Sequence, residues 1–105
     1  ANWVLGILME AGFPTLAAEQ AFSLLDSYIY GFGIQQFNFS SEGDMTPEEM
    51  AEAILSVIPA EEYPYLHRMA TYAMREGYDA QADFAFGLEI VLDGLERILE
   101  EQRPR

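Results

Sequence analysis

The residues able to carry acid–base or metal chemistry are few and poorly spaced for it. His67 is the single histidine and there is no cysteine. A thiol nucleophile, a disulfide scaffold, a zinc ribbon and an iron–sulfur site are therefore excluded. Pro64 stands three residues before His67, where a di-iron helix would need the glutamate of Glu-x-x-His. No His-Glu-x-x-His motif and no glycine-rich phosphate loop occurs. Glu48-Glu49 and Glu61-Glu62 fall at expected helix starts, where they complement the helix dipole, and Glu100-Glu101 lies in the tail. A solitary histidine at the edge of an apolar helix face reads as structural or solvent-facing. The chain is not expected to be an enzyme, and no cofactor or metal is implied.

Small-molecule recognition is better represented. Tyr28, Tyr30, Phe32, Phe37 and Phe39 place five of the fourteen aromatic residues in a span of twelve, interleaved with Gln35, Gln36 and Asn38. Apolar walls with a few polar anchors are what a pocket for a flat or hydrophobic molecule requires. On a helical wheel Tyr30, Gly33 and Phe37 share a side with Asp26 and Ser23, opposite the apolar seam, so this stripe faces either a ligand cavity or solvent. Met69 and Tyr72, further along, could close such a cavity or simply pack in a core. The candidate effector-binding residues are Asp26, Tyr30, Phe37, Asn38, Met69 and Tyr72.

Charge narrows the partners. Eighteen acids stand against five bases, none of them lysine, for a net charge of −13 over 105 residues. Phosphate recognition needs clustered Lys and Arg, so direct contact with DNA, RNA or anionic lipid is excluded for these residues. The longest uncharged run, Ser27–Ser41, is too short and too polar to cross a membrane, and no basic segment precedes the first apolar run. A cytoplasmic location with no membrane partner is expected. Half the residues are hydrophobic, which argues against disorder. The opening Ala1-Asn2-Trp3-Val4-Leu5 reads as the continuation of a longer polypeptide, with a processed N-terminus as the alternative.

Five segments must position these residues, all with helical period. The first runs from Asn2 to Ala11 and stops at Gly12. The second runs from Pro14 to Phe39, with Ala21, Leu25, Tyr28 and Phe32 spaced 4-3-4 and Phe22 and Ile29 widening that face. Gly31 and Gly33 allow a bend there. A polar loop, Ser40 to Asp44, follows. Thr46-Pro47-Glu48-Glu49 is a capping box with proline at the first helical position. The helix behind it directs Met50, Ile54, Val57 and Ile58 inward and ends at Pro59. A fourth segment, Ala60–Arg75, has Tyr65, Leu66, Met69, Tyr72 and Ala73 on its apolar side and ends before Gly77. Asp79 caps the last, which reaches Gln102. No run alternates with period two, so the fold is all-α, a single-domain helical bundle.

The last helix is apolar around most of its circumference. Phe84, Leu88, Val91, Leu95 and Ile98 form one seam, while Ala85, Leu92 and Leu99 join Leu88 and Leu95 in a second. Phe86 and Ile90 add apolar surface elsewhere. Gly87 and Gly94, seven residues apart, each cost about 1 kcal/mol in a helix interior, which implies close approach by another helix. That approach is either within the chain or between subunits. A two-fold four-helix bundle with a second copy is the simplest closed solution for two apolar helices per chain. Its candidate residues are Leu25, Tyr28, Phe32, Gly87, Leu88, Val91, Leu92, Gly94, Leu95 and Leu99.

The run Phe84-Ala85-Phe86-Gly87-Leu88-Glu89, followed by Gly94-Leu95-Glu96, resembles the closing helix of TetR-type transcriptional repressors. Leu24 to Phe32 is similar to their long pre-loop helix, and Pro59 to Pro64 resembles a connector in the same family. The resemblance covers nearly all of the chain. It implies an effector-binding and dimerisation domain, a homodimer, and DNA binding only through an N-terminal helix-turn-helix domain to which nothing here corresponds. Tetracycline-specific members hold the drug with Mg²⁺ through a histidine and an acid. The matching positions here are Tyr30 and Asn38, poor ligands for that ion, so tetracycline–Mg²⁺ is not carried over. A free-standing homodimeric adaptor or small-molecule binding module is the alternative.

Overall fold

The structure is a computed structural model that describes residues 1–41 and 45–102, with the side chains of 38–41 excepted. Its five elements are helices: α1 (Asn2–Ala11), α2 (Thr15–Ser41), α3 (Pro47–Val57), α4 (Pro64–Glu76) and α5 (Ala80–Glu101). Among the described residues there is no strand. The chain divides into two compact units, residues 1–34 with 81–105, and residues 35–80.

In the first unit, α1 ends through Gly12, whose φ of 121° lies where a side chain would be strained. Its N–H donates to the Met9 carbonyl at 3.1 Å, and the Phe13 N–H donates to that of Leu8 at 3.1 Å. The reversal delivers Phe13 into the core with Ala18, Ala21 and Leu95, and Leu8, Ala17, Leu25, Val91 and Leu99 pack around them. Alanine at 18 and 21 leaves α2 a flat surface there. Leu99 Cδ1 lies 3.1 Å from where a Cβ on Gly12 would stand, so the reversal is also tightly covered.

The second unit pairs α3 with α4. Thr46 caps α3 by accepting from the Glu49 N–H at 3.1 Å, as the capping box requires, and Pro47 begins the helix. Ala51 and Ala70 are buried at this pairing, with Ile54, Leu66 and Ala73 half-buried. Glu48 reaches across to accept from the Tyr78 N–H at 3.1 Å, beside Gly77 at φ 83°.

Several expected details differ. Helix α4 begins at Pro64 rather than Ala60: the Glu62 and Tyr63 N–H groups turn back onto the Pro59 carbonyl, and proline can only open the helix that follows. Helix α2 runs through Gly31 and Gly33 unbroken and reaches Ser41, while residues 42–44 of the expected loop lie outside the described residues. Val57, expected inward, is exposed, because it sits across α3 from buried Ala51. Ile29, Tyr65, Met69 and Tyr72, also expected on inward faces, are exposed too. On α4 the small residues Ala70 and Ala73 meet α3 instead, which leaves the bulky apolar side facing out.

Candidate functional site

Two members of the aromatic cluster, Tyr28 and Phe32, meet the last helix in the first unit. Tyr28, Phe32 and Phe84 form a three-ring contact, with centroid separations of 6.5 Å (Tyr28–Phe32), 5.3 Å (Tyr28–Phe84) and 4.9 Å (Phe32–Phe84). The first pair is stacked and the two with Phe84 are tilted, both favourable aromatic arrangements at these spacings. The Tyr28 hydroxyl donates to the Phe84 carbonyl oxygen at 2.7 Å. A Cβ at Gly87 would overlap that hydroxyl and stand 2.8 Å from Tyr28 Cζ. The close approach that Gly87 permits is thus a side chain of α2 within the same chain.

Gly94 differs. Apart from its chain neighbours and its own helix backbone, no atom of the described residues lies within 4 Å of where its Cβ would be. It belongs to an outward ridge, Phe86, Ile90, Gly94 and Ile98, one helical step of four apart. Phe86 is 70% and Ile90 57% exposed. Leu92 is exposed on the opposite flank. The other interface candidates are turned toward their own chain. Leu95 is 8% exposed, and Leu25, Val91 and Leu99 are partly buried against its cluster. Leu88, Tyr28, Phe32 and Gly87 are half-buried. On the α5 wheel Leu95 and its seam lie on one side and Phe86 and Ile90 on the other, with Glu89, Asp93, Glu96 and Glu100 along one flank between them; Gly94 and Ile98 carry the ridge round to the edge of the seam.

The effector candidates are distributed over both units. Asp26 and Tyr30 are exposed in the first; Phe37, Met69 and Tyr72 are exposed in the second. The Asn38 side chain lies outside the described residues. On α4 the exposed Tyr65, Met69 and Tyr72 line up with Arg68, whose guanidinium carbon lies 5.7 Å from the Tyr65 ring centroid. On sequence Tyr65 belongs only to the apolar side of α4, not to the site, and Arg68 is not singled out. Their signal, an aromatic and a base at i and i+3 beside Met69 and Tyr72, was legible in the α4 pattern.

His67 has a packing task. Its Nε2 meets the carbonyl oxygen of Ile58, the residue that ends α3. A carbonyl only accepts, so Nε2 carries the hydrogen. The ring thereby satisfies an end-of-helix carbonyl and ties α4 to α3. Among the described residues, no group of three His, Asp or Glu side chains is placed to hold a metal. No helix among them is long and apolar enough to cross a membrane.

These features define a class: an all-helical domain with apolar faces left over after its own core is built. The chain belongs to the family described as "Tetracyclin repressor-like, C-terminal domain", which it matches over residues 1–99. Domains of this family are regulatory rather than catalytic, and they generally dimerise and bind small-molecule effectors. No curated protein and no solved structure matches the chain significantly.

Proposed function

We propose that the chain is the regulatory domain of a TetR-like transcriptional repressor, that it forms a homodimer, and that it senses a small-molecule effector. The observation that carries this reading is the ridge Phe86–Ile90–Gly94–Ile98, an apolar face on the helix whose inner side is already occupied. Contiguous apolar surface of this kind marks an interaction site. A glycine inside the ridge lets a second helix approach at backbone distance. In the dimer, Phe86, Ile90, Leu92 and Gly94 meet the partner. Leu25, Tyr28, Phe32, Gly87, Leu88, Val91, Leu95 and Leu99 hold α2 and α5 in the arrangement that presents them.

The effector is bound by residues drawn from Asp26, Tyr30, Phe37, Asn38, Met69 and Tyr72. Regulation is linkage: an effector that binds one spacing of the dimer more tightly shifts the population away from the spacing that grips DNA. DNA contact belongs to a separate helix-turn-helix domain, since a surface of charge −13 repels the duplex. The protein works in the cytoplasm with no membrane partner. Sedimentation equilibrium tests the central step. A species of twice 11.8 kDa supports it, and a strict monomer up to high concentration refutes it.

A further inference from the structure

Helix α4 is the one helix of the five with more bases than acids. It carries Arg68 and Arg75 against Glu76, whereas the single arginine of α5, Arg97, is set among six acids. Both α4 arginines are exposed. With Tyr65, Met69 and Tyr72 they occupy the side of the helix turned away from α3. That side is apolar enough to be costly in water, since Tyr65 is 77% and Tyr72 67% exposed. The stripe therefore combines flat aromatic faces, a soft thioether and two guanidinium groups, in a chain whose remaining surface repels anions. At physiological salt the field of distant acids is screened beyond roughly 8 Å, so the charges a ligand on the stripe meets are Arg68 and Arg75, with Glu76 beside Arg75 and Glu61 and Glu62 just before the helix.

We propose that the α4 stripe binds an anionic ligand with a flat apolar body, an aryl carboxylate or sulfonate. Its ring stacks between Tyr65, Met69 and Tyr72, and its anionic group is held by Arg68 and Arg75. Guanidinium is suited to this because its planar fork pairs with carboxylate-like groups through two hydrogen bonds. This deepens the effector reading and rests on it, because Met69 and Tyr72 belong to both; it adds the charge of the ligand and the groups that select it.

The test uses the full 105-residue chain and two fluorescent probes of similar aromatic body. One is anilinonaphthalene sulfonate, the other the uncharged phenylnaphthylamine. The double substitution Arg68→Gln/Arg75→Gln is expected to weaken sulfonate binding about fivefold, the scale of two exposed charge contacts. Binding of the uncharged probe is expected to be unchanged, and Tyr72→Ala is expected to weaken both. Equal effects of the arginine substitutions on the two probes, or none on either, would overturn the proposal. So would displacement of the sulfonate by an acidic peptide but not by free naphthoate, which would make the occupant a protein segment. Sedimentation of the same samples separates the two readings. A dimer that ignores both probes overturns this proposal alone, and a monomer that shows the probe contrast overturns only the dimer.

Discussion

The Tyr28 hydroxyl reaches the Phe84 carbonyl oxygen at 2.7 Å by passing over Gly87, where no side chain could stand. One glycine thereby fixes the spacing of α2 against α5 and lets a phenol share a carbonyl of the neighbouring helix. The contact explains why a residue that costs about 1 kcal/mol in a helix interior is used at this point.

Gly87→Ala should consequently lower stability by about 1 kcal/mol, because the overlap with Tyr28 outweighs the gain in helix propensity. In a Tyr28→Ala background the same change should raise stability by about 1 kcal/mol, since only the propensity remains. Urea titration of the four chains measures both values, and a cycle without a change of sign would show that the ring does not crowd Gly87.

Gly94→Ala should behave in the opposite sense. Among the described residues nothing beyond its chain neighbours and its own helix backbone lies within 4 Å of that position, so protomer stability should rise by about 1 kcal/mol. If a second helix approaches there, dimer affinity should fall. Chemical denaturation of dilute protein together with sedimentation separates the effects; unchanged association would remove Gly94 from the interface.

Leu95→Glu and Ile90→Glu should have different consequences despite lying on one helix. Leu95 is 8% exposed, so a carboxylate there is buried without a partner and the domain should fail to fold. Ile90 is 57% exposed, so its substitution should keep the helical far-UV signal while abolishing the dimer. A helical Ile90→Glu protein that remains dimeric would displace the proposed interface to another face.

Thr46→Ala should cost about 1 kcal/mol through loss of the cap on the Glu49 N–H. Thr46→Ser should retain most of it. Thermal melts of the pair give the difference, and equal losses would show that the hydroxyl is not what stabilises the start of α3.

Much of the helical layout was legible along the chain because its signals are local. Gly12 before Pro14 marks a stop and restart, Thr46-Pro47-Glu48-Glu49 marks a start, and Gly77 marks an end; each works through backbone groups a few residues away. The start of α4 was misplaced because acids at 61 and 62 resemble a first turn, while the Pro59 carbonyl draws the Glu62 and Tyr63 N–H groups into a turn instead. The candidate site was legible as a set of residue types, not as a placement. Tyr28 and Phe32 belong to the three-ring contact with Phe84, whereas Tyr30, two residues away, is exposed.

Composition and periodicity alone determined that the chain is helical, too acidic to hold phosphate, and poor in catalytic groups, and the closing-helix motif alone carried the family resemblance. They could not say which apolar side of α4 or α5 turns inward, because periodicity reports that a face is apolar and not what covers it. Tertiary packing decided that. Small residues, Ala70 on α4 and Ala18 and Ala21 on α2, form the faces on which neighbouring helices pack. The bulky faces, Tyr65–Met69–Tyr72 and Phe86–Ile90–Ile98, were thereby left outside. Dense packing favours the side where backbones come closest, and that choice depends on the partner helix, which no single segment contains.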